Sequence, residues 1–192
     1  MFWASGTHAA RDVTCDSCHE VHNNGLDKVR ERTTQTEVCF TCHKEKRVQI
    51  GLPSRHPIRE GKVTCSDCHN PHGSAGAKNL VRDTVNETCF KCHAEKRGPF
   101  VWNHYPVTEN CSLCHEPHGT TVASLLKFRS PFLCQQCHES TTHRGAAPSF
   151  TDTAGTASGQ RVLFAQGCLN CHINIHGSNN PTPAANSRRL RQ

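Results

Sequence analysis

Cys65-Ser66-Asp67-Cys68-His69 is one of seven copies of Cys-x-x-Cys-His in a chain of 192 residues, and the seven together use all fourteen cysteines. The other copies begin at Cys15, Cys39, Cys89, Cys111, Cys134 and Cys168, with second cysteines Cys18, Cys42, Cys92, Cys114, Cys137 and Cys171. Two thiols one helical turn apart suit thioether bonds to the two vinyl groups of one porphyrin, and the histidine that follows is placed to ligate its iron. The chain therefore reads as a carrier of seven c-type haems, with His19, His43, His69, His93, His115, His138 and His172 as proximal iron ligands. A single copy would be weak, because zinc sites and redox dithiols also use it. Zinc needs four-ligand sets that close on one another and leaves the remaining histidines without a role. Secreted disulfide frameworks have more varied spacings, without a histidine after every pair.

Hydrophobic residues make up 34% of the chain, and fourteen of them are these cysteines. A conventional aliphatic core is out of reach, so the apolar interior must be largely porphyrin, with folding coupled to haem attachment. Ten prolines, thirteen glycines and the short intervals between motifs predict mostly loops with short α-helices and little or no β-sheet, a motif on each short helix. The formal charge of +6 is not a nucleic-acid signal. Each ferric haem adds about +1 at iron and about −2 from propionates, which brings the oxidised protein close to neutral and leaves the reduced protein acidic. Arg188, Arg189 and Arg191 read as a solvated tail. No stretch has the apolar length of a transmembrane helix, and Met1 to His8 carries no signal-peptide pattern. Covalent haem attachment belongs to the exported side of the bacterial membrane, so an exported protein is expected, mature, truncated or incompletely known at its front.

A repeat of about fifty residues organises the chain. First-type sites carry a trailing histidine: VTCDSCHEVH at 13–22, VTCSDCHNPH at 63–72 and ENCSLCHEPH at 109–118. Second-type sites lack it: EVCFTCHKEKR at 37–47, ETCFKCHAEKR at 87–97 and FLCQQCHEST at 132–141. The expected organisation is one multihaem domain, residues 1–192, of two-haem modules at about 1–50, 51–98 and 99–143 plus a terminal half module at 144–192, whose site is GCLNCHINIHGSNNP after a small-residue insertion.

Eight histidines remain, in register with the repeat: His8, His56, His104 and His143 lead a first-type site, and His22, His72, His118 and His176 trail one. They are read as distal iron ligands. The only methionine is Met1, so bis-His, low-potential haem is expected. A trailing histidine cannot round the haem of its own helix and must serve a neighbour. In the preferred scheme His8, His56, His104 and His143 serve the haems of Cys15, Cys65, Cys111 and Cys168. His72, His118 and His176 then serve those of Cys39, Cys89 and Cys134. His22 is left over, in keeping with a haem upstream or with simple exposure. The forward scheme leaves His176 without a haem, and the sequence does not choose between the two.

The alternation of CHNPHG (68–73) and CHEPHG (114–119) with CFxCHxEKR sites, and the ending CHINIHGSNNP, resembles the decahaem c-type cytochromes of the MtrA/DmsE type and their pentahaem relative NrfB. It departs from the decahaem pattern in having seven sites. The resemblance implies an elongated haem ribbon acting as an electron conduit, held in an outer-membrane β-barrel between periplasmic donors and an extracellular cytochrome or mineral. Neighbouring haem edges are then expected at about 4 Å, near van der Waals contact. The periplasm or the outer membrane, or the cell exterior, is the expected location, and redox proteins are the expected partners. Other readings are a soluble periplasmic shuttle and a filament of copies of the chain joined through His22 or His176. A reductase of small oxyanions would need one open iron, which the excess of distal histidines opposes, so no catalytic residue is assigned. Trp3, Trp102 and Tyr105 are expected to be structural.

Overall fold

The computed structural model describes residues 2–20, 22, 25, 27–138, 168–170 and 172–179. The 145–160 insertion, His143, Cys171 and the C-terminal arginines lie outside them. Among the described residues the chain forms α1 (Gln35–Phe40), α2 (Lys44–Gln49), α3 (Cys65–Cys68), α4 (Val85–Phe90), α5 (Tyr105–Glu109) and α6 (Phe132–Gln135), with single 3-10 turns between them. There are no strands among these residues, only isolated antiparallel bridges such as His69 to Leu80 and His115 to Leu126. Short helices joined by loops are what the composition predicted. No described helix is long and apolar enough to cross a membrane.

One local structure recurs at all seven motifs. The histidine N–H donates to the carbonyl of the first cysteine, at 2.9 Å in six copies and 3.0 Å at His115. That closed turn puts both cysteines on one side. In several copies side-chain caps start it: Thr64 and Asp67 form a capping box at α3, Thr14 and Ser17 form one at Cys15–Ser17, and Thr84 accepts the Glu87 N–H at α4, whereas no side chain caps α1 or α6.

The polypeptide supplies almost no core. Among the described residues only Phe40 and Ile50 are buried apolar side chains, beside buried Thr36, Thr64, Asn86, Thr88, Thr120 and Ser178. The chain divides into two compact units, Met1–Arg97 with Glu109–Leu126, and Gly98–Thr108 with Lys127–Gln192. Within each, the segment ahead of a leading histidine is stitched to the one behind a trailing histidine. Ser54 and Thr120 exchange hydrogen bonds of 3.1 and 2.8 Å in the first unit, and Trp102 and Ser178 do so at 2.9 Å in the second. The glycine after His72, His118 and His176 permits this approach. A Cβ at Gly73 would meet the Phe2 carbonyl at 2.5 Å, one at Gly119 the Gln49 carbonyl at 2.1 Å, and one at Gly177 the Phe100 ring at 2.3 Å.

Candidate functional site

The stitching brings histidines together in twos. In the first unit His8 faces His43 with ring centroids 6.1 Å apart, His19 faces His72 at 6.0 Å, His56 faces His93 at 6.2 Å and His69 faces His118 at 6.1 Å. In the second unit His104 faces His138 at 6.0 Å. Each pair joins one motif histidine to one histidine outside the motifs. Imidazoles in contact stack at about 3.5–4 Å. Two iron–nitrogen bonds of about 2 Å each, with half a ring on either side, give about 6 Å. Spacing alone is not decisive, since Trp3 also lies 6.2 Å from His72. The constant register across five pairs is. Among the described residues no group of three or more His, Cys, Asp or Glu could hold a bare metal ion. Paired axial imidazoles beside a Cys-x-x-Cys turn fit a metal whose four equatorial ligands arrive with a porphyrin.

The pairing differs from the preferred scheme. His8 and His56 meet the second motif of their own module, not the first, and His104 likewise meets His138. The physical cause is visible at His8, whose carbonyl accepts from the N–H groups of Arg11 (3.0 Å) and Val13 (3.2 Å). That turn holds it behind the Cys15 motif. Its Nδ1 hydrogen-bonds to the Pro71 carbonyl at 2.9 Å, as His56 Nδ1 does to Pro117 at 2.8 Å. His104 Nδ1, buried, faces the equivalent Ile175 carbonyl without a well-formed hydrogen bond. His72 and His118 reach back one module, as expected, but to its first motif, at His19 and His69. His22 is exposed. The Trp3 ring lies beside that of His72.

Burial holds His104 below the ordinary histidine pKa, with His138 adding to the effect. It does the same at His118, against a hydrogen bond to Glu116 at 3.3 Å that works the other way. Both shifts favour the neutral imidazole, the form in which a ring nitrogen can ligate. The cysteines come together in chain order. Cys39 and Cys65 share a hydrogen bond that pushes Cys39 up, with burial adding to it, and pulls Cys65 down against the effect of burial. Cys89 and Cys111 repeat this, with Cys111 lowered to about 7. Burial raises Cys18 and Cys68, and the neighbouring thiols add to it, Cys39 and Cys42 for the first and Cys92 for the second. Successive attachment sites from Cys15 to Cys111 thus adjoin.

The model of the doubled CXXCH motif matches this chain at residues 8–48, 56–98 and 104–143, more than half of its length. The chain belongs to this family of multihaem c-type cytochromes. Each match starts on a leading histidine and runs past the second motif, so it encloses the pair that the structure forms, His8 with His43, His56 with His93 and His104 with His138. A relative, the Multiheme cytochrome MtrA of Shewanella baltica (strain OS185), is 46% identical over 181 residues, which is 94% of this chain and 54% of that protein. The chain spans about half the length of that relative. The likeness to MtrA-type cytochromes expected from the motifs is present, and c-type haem is the cofactor.

Proposed function

We propose that the chain carries electrons along seven covalently attached bis-His haems, one at each Cys-x-x-Cys-His motif. The constant register of the histidine pairs is the observation that carries this reading. Haem iron supplies a reversible one-electron couple, and the polypeptide holds, orders and shields it. In each module the leading histidine is the distal ligand of the second haem, and the trailing histidine of the next module is that of the first. His115 and His176 are assigned as ligands on register alone, and His143 and His172 as the leading and motif histidines that a half module with a single motif leaves for each other. His22 stands in the repeat where His72 and His118 stand, and none of the seven haems is assigned to it. With both axial positions filled by imidazole, iron offers no place for a substrate, and the role is that of a carrier.

The two-haem module, at about 1–50, 51–98 and 99–143, with the half module 144–192, is proposed as the unit of organisation. The adjoining cysteines of successive motifs support a continuous row and not isolated centres. The likeness to MtrA supports an exported protein working as a conduit in the periplasm or outer membrane, with redox proteins, a β-barrel sheath and an extracellular cytochrome as partners.

Low-temperature EPR of the oxidised holoprotein, with carbon monoxide added after reduction, tests the reading. Only low-spin iron and no gas binding is the expected result, with a mass corresponding to seven haems. A high-spin, gas-binding haem at any of the five pairs overturns it.

A further inference from the structure

The three first-type motif histidines place Nδ1 against different acceptors. His69 Nδ1 donates to the Lys78 carbonyl at 2.9 Å and His115 Nδ1 to the Ser124 carbonyl at 2.8 Å. Both acceptors are turned inward by left-handed backbone, at φ 55° for Lys78 and 58° for Ser124. His19 Nδ1 instead meets Oδ2 of Asp27 at 2.8 Å. Lys28, nine residues after His19 and so in the register of Lys78 and Ser124, has its carbonyl taken by the Thr34 hydroxyl at 2.7 Å. The Asp27 carboxylate is held in aim, since its Oδ1 accepts the Val29 N–H at 3.3 Å. The pair is partly shielded, with side-chain exposures of 32% and 23%.

We propose that Asp27 is a positioning residue that lowers the reduction potential of the haem attached at Cys15 and Cys18, setting it apart from the first-type haems whose motif histidine is held by a carbonyl. This rests on the bis-His reading above. With Nε2 on iron, Nδ1 keeps its proton and donates it to the carboxylate in a charge-assisted bond. Electron density moves toward Nε2, the imidazole becomes a stronger donor, and the fixed negative charge adds to the effect. Both favour the ferric state, whose iron carries the extra positive charge, so the one-electron reduction becomes harder. No proton leaves His19 in either state. A carbonyl acts in the same direction through a dipole alone, and so acts less. Arg30, the cation near Asp27, offsets part of the charge. On the other side of the same site Asn70 lies beside His72, and its Oδ1 accepts the backbone N–H of His72 at 3.1 Å. The repeat is thus not a uniform wire: its first described module begins with a site that holds an electron less tightly than the first-type sites at Cys65 and Cys111.

The test uses the holoprotein and three variants, Asp27→Asn, Asp27→Ala and Asp27→Glu. Peptide mass and EPR of the unmodified protein first establish a haem on Cys15 and Cys18 with low-spin, six-coordinate iron. Their failure there defeats the bis-His reading and the proposal with it. Spectroelectrochemical titration then decides the proposal by itself. In Asp27→Asn and Asp27→Ala one component, about one seventh of the haem amplitude, shifts to higher potential while the rest of the curve superimposes. In Asp27→Glu the component stays close to its original position. A curve for Asp27→Asn that superimposes on the unmodified protein overturns the proposal, even where Asp27→Ala shifts it, because the charge is then not what matters.

Discussion

First-type and second-type sites are anchored at opposite ends of their histidine pairs. In first-type sites the motif histidine is fixed by its own module, through Asp27, the Lys78 carbonyl or the Ser124 carbonyl. In second-type sites it is the leading histidine that is fixed, and by the next module, through the carbonyls of Pro71 and Pro117. The ring planes follow the difference. They are nearly parallel, at 12° and 10°, for His19 with His72 and His69 with His118, open to 68° and 49° for His8 with His43 and His56 with His93, whose leading histidines are bonded to a proline carbonyl, and return to 22° for His104 with His138, where that bond is not made. One dipeptide of the following module serves both classes: Pro71 orients His8, and His72 completes the pair at His19. Each joint between modules therefore sets two sites at once, which is why the modules interlock and do not simply sit side by side.

The largest expected effect comes from removing one ligand of each class. His72→Ala is expected to open the haem at Cys15 and His8→Ala the haem at Cys39, each giving one high-spin iron per chain that binds carbon monoxide after reduction. The two are told apart by adding Asp27→Asn, which changes the Fe–CO stretching frequency in the His72→Ala background only, because there the gas lies opposite His19. A frequency change in the His8→Ala background instead would restore the scheme in which a leading histidine serves its nearest motif.

That scheme marks where the sequence stopped being informative. The Cys-x-x-Cys-His turn closes on itself within five residues, so spacing alone carried it, and the dearth of apolar residues carried the lack of a core. The ring pairs depend on contacts some thirty to fifty residues apart, such as His8 with His43 and His69 with His118. Proximity along the chain favoured Cys15 for His8, and nothing in the letters shows the turn at Ala9–Arg11 that turns it away. The carbonyls of Lys78, Pro71 and Pro117 leave no side-chain signature. Pro71 and Pro117, each directly before a trailing histidine, were the available hint, since proline donates nothing and has a fixed φ. Asp27 has no counterpart at the same position in the other modules, so the repeat gave no reason to single it out.

The joint is next in size. A methyl group at Gly119 meets the Gln49 carbonyl at 2.1 Å with φ at +152°, so Gly119→Ala has to break the Ser54 to Thr120 exchange. A loss of about 3 kcal/mol in guanidinium unfolding of the holoprotein is expected. Gly61→Ala isolates the backbone part, since Gly61 has φ +68° but no atom nearer than 3.7 Å to its added Cβ. It is expected to cost about 1 kcal/mol. Equal losses in the two variants would mean that the close approach at Gly119 contributes nothing and that the modules are not locked there.

The smallest effect sharpens the contrast among first-type sites. His118, opposite His69, lies 3.3 Å from the Glu116 carboxylate, whereas His19 lies 2.8 Å from Asp27. The longer contact is beyond the usual N–H···O range and transfers less density to the ring. It also falls on the side of the pair supplied by the following module, while Lys78 holds the motif side with a neutral dipole. Glu116→Gln gives the third module the kind of amide that the second carries at Asn70, and it leaves the Glu116 N–H to the Leu125 carbonyl, at 2.8 Å, in place. One haem component is expected to move to higher potential in a redox titration, by less than in Asp27→Asn. A shift of equal or greater size would mean that the negative charge acts through space from either face of a site, and that the short bond from His19 to Asp27 gives the first module no special position.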